Sequence, residues 1–472
     1  MNQQQVFHSL MLSGHGRCFQ MIKQYGANVF RDSVMYGCLN NIAFDWQSEG
    51  SRGLFLFNLA LRYDDPEEFL LPAIEKFSTA VVNDNLCLFC QMTDFISHFA
   101  YGKINSEEAL KALDSKYKEL YSILMQKRHS KYTNDILQSY EYLSMRMMHH
   151  FEKEKVSAII DDMGKYLFKR RRVPHVQLRR SFQWFAVNLL GEFGDDAKEA
   201  KFWLDDFDGD KTGIIRFFKV MGNYFDEETT GTVITDKTCT ADKYIEKALN
   251  RELRPKDKYM FAKFAPEEEK YRLALAALAE KDVSVKIQLL KAFTLAENPW
   301  KLSPDQLIIE ADSGNIALRD TIPEVLSFVK NPQVHDFAYQ LFMNGDKQKA
   351  FPILLFNYQP TDKELLLDHL DSLTIDLSDT SGWHHIVHSI LDVAETENNA
   401  LSDEFLLWIY NNSMCSCCRE YALDVLESRG SISFEMLMEC KMDSNENIRE
   451  MAKRKLKEKS ENGTSDQKHP TI

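Results

Sequence analysis

The sequence predicts an all-α chain built as an α-solenoid, a stack of antiparallel helix pairs. Three observations carry that expectation: helix breakers are scarce, helix starts are marked by capping residues, and one helical pattern recurs toward the C-terminus. The chain holds 19 glycines and 12 prolines in 472 residues, roughly half of average usage, which favours helices joined by short turns. Extended β-branched runs are nearly absent, the clear exception being Gly231-Thr232-Val233-Ile234-Thr235. Hydrophobic residues make up 44% of the chain, enough to bury a core, so disorder is not the expectation for most of it.

Individual helix starts follow from the need to satisfy the first backbone N–H groups. Asp65-Pro66-Glu67-Glu68 puts a capping carboxylate first and proline at the first helical position, where no N–H is lost. Ser303-Pro304-Asp305-Gln306 repeats the arrangement with a hydroxyl, and Thr361-Asp362-Lys363-Glu364 has the form of a capping box. Each opens a short apolar-periodic segment, and roughly two dozen such segments run through the chain.

The repeat is the strongest signal. Cys418-Arg419-Glu420-Tyr421-Ala422 runs on to Leu426, Ile448-Arg449-Glu450-Met451-Ala452 to Leu456, and Val334-His335-Asp336-Phe337-Ala338 to Phe342. In each, the apolar positions and the alanine fall on one helix face, and the alanine lets a neighbouring helix come close. Short apolar segments, Phe405 to Tyr410 and Phe434 to Cys440, precede the first two copies. Two helix–turn–helix units result, neither able to hide its apolar side alone, so they stack. These segments resemble HEAT-like repeats, whose second helix opens with an aliphatic–arginine step and has alanine three residues on. Arg419 and Arg449 match, and His335 departs at that position. The resemblance covers about residues 316–459 and implies architecture and general scaffolding or adaptor work, with the polar position tying one unit to the next.

The domain reading is an N-terminal helical domain over 1–226, a linker or small hairpin over 227–240, HEAT-like repeats over 241–459 and a disordered tail over 460–472. The net charge of −14 opposes general binding to phosphate backbones. Nine scattered cysteines suit reduced thiols in the cytoplasm. The Met1-Asn2-Gln3-Gln4-Gln5 start has no basic region followed by an apolar stretch, so it does not read as a secretory signal. The sequence has no apolar run of about 18 residues, so no membrane span is expected.

Candidate chemistry is sparse. The densest basic cluster is Lys165, Lys169, Arg170, Arg171, Arg172, His175, Arg179 and Arg180, interleaved with Tyr166, Phe168, Phe182 and Trp184. Guanidinium forks suit phosphates or acidic partners and aromatics stack on bases; otherwise these arginines solvate a helix end and the aromatics are core. The loop Asp45-Trp46-Gln47-Ser48-Glu49-Gly50-Ser51-Arg52-Gly53 offers Asp45, Glu49 and Arg52 as a polar network or small recognition site. Its plainer reading is a helix end, a turn and a new start with a local Glu49–Arg52 pair.

His384 and His388, at i and i+4, can share a metal, but no third ligand is near in sequence. His385 lies elsewhere on that helix. Cys87 and Cys90, and Cys415, Cys417 and Cys418, lack a matched second pair and read as small core residues. Asp205 to Asp210 fails the calcium-loop template, since glycine falls two places early and no glutamate closes it. Ser13-Gly14-His15-Gly16-Arg17 follows no strand and has no third glycine, so it is not a phosphate loop. No nucleophile elbow, Walker A or HExxH motif occurs, and no cofactor or metal is implied.

The functional expectation is a non-catalytic scaffold that recognises a protein partner through its solenoid surface. One alternative is a nucleic-acid-associated protein contacting phosphates through residues 165–180. The other is a helical enzyme with a site in the N-terminal half, where Asp45 or Glu49 would sit in a pocket.

Overall fold

The computed structural model describes residues 2–80, 86–102, 104–126, 131–148, 153–169, 239–373, 379–395 and 401–465. Among these residues the regular structure is entirely helical, with no strand. No helix among them is long and apolar enough to cross a membrane. Arg170, Arg171, Arg172, Arg179, Arg180, the Asp205–Asp210 stretch, most of the 227–240 segment and residues 466–472 lie outside the described residues. The chain forms two compact units. One comprises Met1–Thr229, Met414–Glu420 and Ile432–Ile472; the other comprises Thr230–Ser413 and Tyr421–Ser431.

The first unit opens with α1 (Gln3–Ser13), α2 (Arg17–Tyr25) and α3 (Arg31–Leu39). Asn2 caps α1 by accepting from the Gln5 N–H at 2.9 Å, while the Gln5 side chain accepts from the Asn2 N–H at 3.0 Å. Gly14 ends the helix at φ 72°, a left-handed turn that favours glycine. There follow α4 (Trp46–Glu49), α5 (Gly53–Ala60), α6 (Glu67–Thr79), α7 (Leu86–Tyr101), α8 (Glu107–Gln126), α9 (Lys131–Met148) and α10 (Lys153–Lys169). The expected start of α6 is present: the Asp65 carboxylate accepts from the Glu67 N–H at 3.1 Å.

Helix α7 is the hub of this unit, packing against α5, α6, α8 and α9. Phe89, Phe95 and Phe99 lie on it fully buried, and Phe77 of α6 stacks on Phe89 with ring centroids 5.2 Å apart. Aromatic pairs of this kind add about 0.5–1.5 kcal/mol beyond the area they bury.

The second unit contains α11 (Ala241–Leu249), α12 (Pro255–Phe264), α13 (Glu267–Ala279), α14 (Val283–Leu290), α15 (Asp305–Ala311), α16 (Ile316–Leu326), α17 (Pro332–Met343), α18 (Lys347–Phe356), α19 (Lys363–Ser372), α20 (Thr380–Ala394) and α21 (Asp403–Asn412). Side-chain caps open α14, α16, α17 and α20: Asp282, Asn315, Asn331 and Asp379 each accept from a first-turn N–H. Each such cap contributes about 1 kcal/mol. The reciprocal cap near α19 forms between Gln359 and Asp362, not between Thr361 and Glu364, because a 3-10 turn over Pro360–Asp362 precedes the helix.

Neighbouring helices pair as α13 with α14, α15 with α16 and α17 with α18. Contacts also run between next-but-one helices: α14 to α16, α16 to α18, α18 to α20 and α15 to α17. Polar ties join consecutive helices. Lys286 meets both oxygens of Glu310 at 2.9 and 3.0 Å, and Asn357 accepts from the Asn331 N–H at 2.8 Å.

The last helices are α22 (Ser416–Ser428), α23 (Phe434–Cys440) and α24 (Glu446–Ser465). Helix α24 extends past residue 459, where the sequence analysis ends the repeats. Residues 414–420 and 432–472 group with the N-terminal helices rather than with 241–413, and the physical reason lies in the close approach of two glycines. Ser444 donates its N–H to the Gly14 carbonyl at 2.8 Å. A Cβ on Gly16 would stand 1.9 Å from the Glu439 carbonyl oxygen. Beside it, Arg17 grips Glu439 with two parallel bonds of 3.0 Å. The Gly14-His15-Gly16 step is thus a docking notch for α23. Gly16→Ala is expected to cost about 1–3 kcal/mol through overpacking, seen as a lowered unfolding midpoint; an unchanged midpoint would mean the notch has slack.

Candidate functional site

The polar loop between α3 and α5 closes on itself and on the C-terminal segments of the same unit. The short α4 turns at Gly50, φ 70°. Gly53 then starts α5 against α7, where a Cβ would lie 2.3 Å from that of Asp94. Glu49 and Arg52 pair at 2.6 Å with both side chains 1% exposed. Arg52 also donates through Nη1 to the Leu12 carbonyl at 2.7 Å and through Nη2 to the Met414 carbonyl at 3.1 Å. The Glu49 carboxylate accepts from the Asp45 N–H at 3.0 Å and from the Ser416 N–H at 2.5 Å, which caps α22. Asp45 itself accepts from the Ser48 hydroxyl at 2.8 Å. Charge-assisted bonds occupy both oxygens of Glu49, so the cluster acts as a clamp on backbone from three parts of the chain.

A second buried pair lies nearby in sequence order. Arg419 of α22 donates through Nη2 to both oxygens of Asp443 at 3.1 Å, with the side chains 0% and 1% exposed. In the second unit His335, at the corresponding place in the sequence pattern, has its Nε2 3.1 Å from Asp362. Arg449 turns back instead to the carbonyls of Asp443 and Ser444 at 2.9 and 2.7 Å.

The basic cluster is described only through Lys169: Lys165 forms an ion pair with Asp161, and Lys169 ends α10. His384, His385 and His388 all lie on α20, with the rings of His384 and His388 5.9 Å apart. No disulfide joins the nine cysteines. Burial raises the thiol pKa of Cys87 and Cys90. The thiols of Cys417 and Cys418 are raised first by hydrogen bonding to Cys415 and then by burial. Such thiols are poor nucleophiles at neutral pH.

Sequence reasoning misses a buried group on α7 and α9. Asp94 accepts from the Tyr142 hydroxyl at 2.8 Å and from Arg146 Nη2 at 3.2 Å. Burial pushes its carboxyl pKa up against the opposing pull of Arg146, Ser51 and Tyr142. Glu141, next along α9, is buried with no hydrogen-bond partner for Oε1, and burial raises its pKa well above the ordinary 4.5. The folded state therefore keeps a proton that the unfolded chain releases, and Glu141 erodes stability as pH climbs from about 4.5 toward its folded value. Glu141→Met is expected to stabilise the protein by about 1–3 kcal/mol at pH 7, less at pH 5. Denaturant midpoints across that range check it, and a loss of stability at pH 7 would refute it.

On the second unit, a surface groove of about 540 Å3 lies between α15 and α17. Asp305, Ile308, Ile309 and Asp312 line it from one side; Gln333, Asp336, Phe337, Gln340, Leu341 and Asn344 line it from the other. Leu307 and Ala311 are buried, whereas Ile309 is 70% exposed. Comparison with protein-family models, curated proteins and solved structures finds no match to this chain.

Proposed function

We propose that this chain is a non-catalytic scaffold for protein–protein recognition, its second unit a HEAT-like α-solenoid of stacked antiparallel helix pairs. The observation that carries the reading is the run of next-but-one contacts from α14 through α16 and α18 to α20. Stacked pairs of this kind present extended surfaces. Apolar side chains that the fold does not bury stand on that unit: Ile309, Ile316 and Met343 are each more than half exposed. Nine cysteines with no disulfide among them fit a reducing compartment such as the cytoplasm.

The polar loop supports the same reading. Glu49 and Arg52 are engaged in holding backbone, which is the work of a structural clamp, and the Asp45 carboxylate accepts from the Ser48 hydroxyl. The basic cluster on which the nucleic-acid alternative rests lies mostly outside the described residues, and the net charge of −14 opposes that alternative.

Affinity capture with tagged full-length protein tests the proposal. A protein partner is expected to stay bound through a high-salt wash and after nuclease treatment. Recovery of nucleic acid alone, lost at high salt, would replace the scaffold reading with the nucleic-acid one; recovery of nothing would remove it.

A further inference from the structure

We propose that the groove between α15 and α17 receives a basic amphipathic helix from the partner, an assignment that rests on the scaffold reading and adds the site and the ligand chemistry to it. The two walls are helix faces whose residues the core does not use. On α15 the core takes Leu307 and Ala311, leaving Ile308 and Ile309 to the groove. On α17 it takes Val334, His335, Ala338 and Phe342, leaving Phe337 and Leu341. The apolar lining is flanked by carboxylates. Asp305 and Asp312 lie two turns apart on one wall and Asp336 on the other, with Gln333, Gln340 and Asn344 between and beyond. Among the described residues, no lysine or arginine lines the groove.

Charge complementarity selects the occupant. Among the described residues, an anionic ligand would meet three carboxylates and no cation. An extended strand would find no open sheet edge among the described residues to pair with, so β-augmentation is closed to it. A helix with one apolar face fits between two helices, with its leucines against Ile309, Phe337 and Leu341, and lysines on its flanks reach the aspartates. Ile316 and Met343, close in the chain to Asp312 and Asn344, are 70% and 58% exposed.

The test uses full-length protein and two synthetic helical peptides of about five turns. They share a leucine face, and one carries lysine and the other glutamate on its flanks. By fluorescence anisotropy the lysine peptide is expected to bind and the glutamate peptide not to. Asp312→Lys with Asp336→Lys is expected to weaken the lysine peptide at least about tenfold. The same charge change at exposed Asp368 and Glu395, outside the groove, is expected to leave nearly all of the affinity. All of these positions are exposed, and circular dichroism verifies that the variants fold.

Equal binding of both peptides, equal loss from the two double variants, or absence of lysine-peptide binding would overturn the proposal. In the capture experiment, a partner retained equally by wild type and the Asp312/Asp336 variant would reject the groove and leave the scaffold. Failure of the wild type to retain any partner would reject the scaffold itself.

Discussion

Asp443→Ala is expected to destabilise the first unit by about 3–5 kcal/mol, the cost of breaking a fully buried ion pair from one side. Its carboxylate is the partner of a guanidinium with no solvent exposure, so the substitution leaves a charge in the interior rather than merely removing a bond. Asp443 also accepts from the Asn445 N–H at 2.9 Å, just ahead of α24, so the start of that helix loosens as well. Asp443→Asn keeps an acceptor for that N–H and for Arg419 and is expected to lose clearly less.

The informative variant replaces both partners: Arg419→Met with Asp443→Leu should recover much of the loss, because an apolar pair needs no counter-charge. Denaturant unfolding of the four proteins measures this. If the double variant is as unstable as Asp443→Ala, the damage lies in the turn at 441–445 and not in the stranded charge. If Asp443→Ala is neutral, water reaches Arg419 and the pair is not the structural tie described.

The position of Arg419 is legible in the sequence, since it stands out in the repeated pattern shared with Arg449. Its partner is not, because a turn aspartate carries no periodic signal. The all-helical character is legible for a local reason: Asp65 marks where α6 begins and its side chain accepts from a first-turn N–H, as Asp282, Asn315 and Ser433 do at α14, α16 and α23. Local chemistry also makes the Glu49–Arg52 pair readable, three residues apart in one tight turn.

Contacts across long chain separations are not readable. Arg52 reaches a carbonyl at Met414 and Glu49 an N–H at Ser416, and no spacing rule links such distant segments. For the same reason the C-terminal hairpin is assigned from its pattern to the repeats over 241–459, while its glycine-notch contacts join it to α1 and α2. The α15–α17 groove is hidden differently. Leu307, Ile308 and Ile309 are alike in hydropathy, and only packing decides that the first is core and the last is surface.

Arg52→Ala is expected to cost a comparable 3–5 kcal/mol, approximately, and to do so at the junction of α1, the 45–53 loop and the start of α22. The alanine would strand a buried carboxylate at Glu49 and two carbonyls, at Leu12 and Met414, that the guanidinium satisfies at 2.6, 2.7 and 3.1 Å. Arg52→Lys is expected to rescue only part, since an ammonium cannot reproduce a planar fork aimed at three acceptors in different directions.

The consequence is local as well as global. Glu49 caps α22 through the Ser416 N–H, and it holds that geometry because Arg52 fixes the carboxylate. Hydrogen exchange at Ser416 should therefore quicken in Arg52→Ala by more than the change in global stability alone would produce. In Gly16→Ala, by contrast, which weakens the same unit elsewhere, exchange at Ser416 should follow global stability. If Ser416 behaves alike in both variants, Arg52 is one buried contact among many. If it responds to Arg52 alone, the loop is the clamp that ties the first turn of α22 to the N-terminal helices.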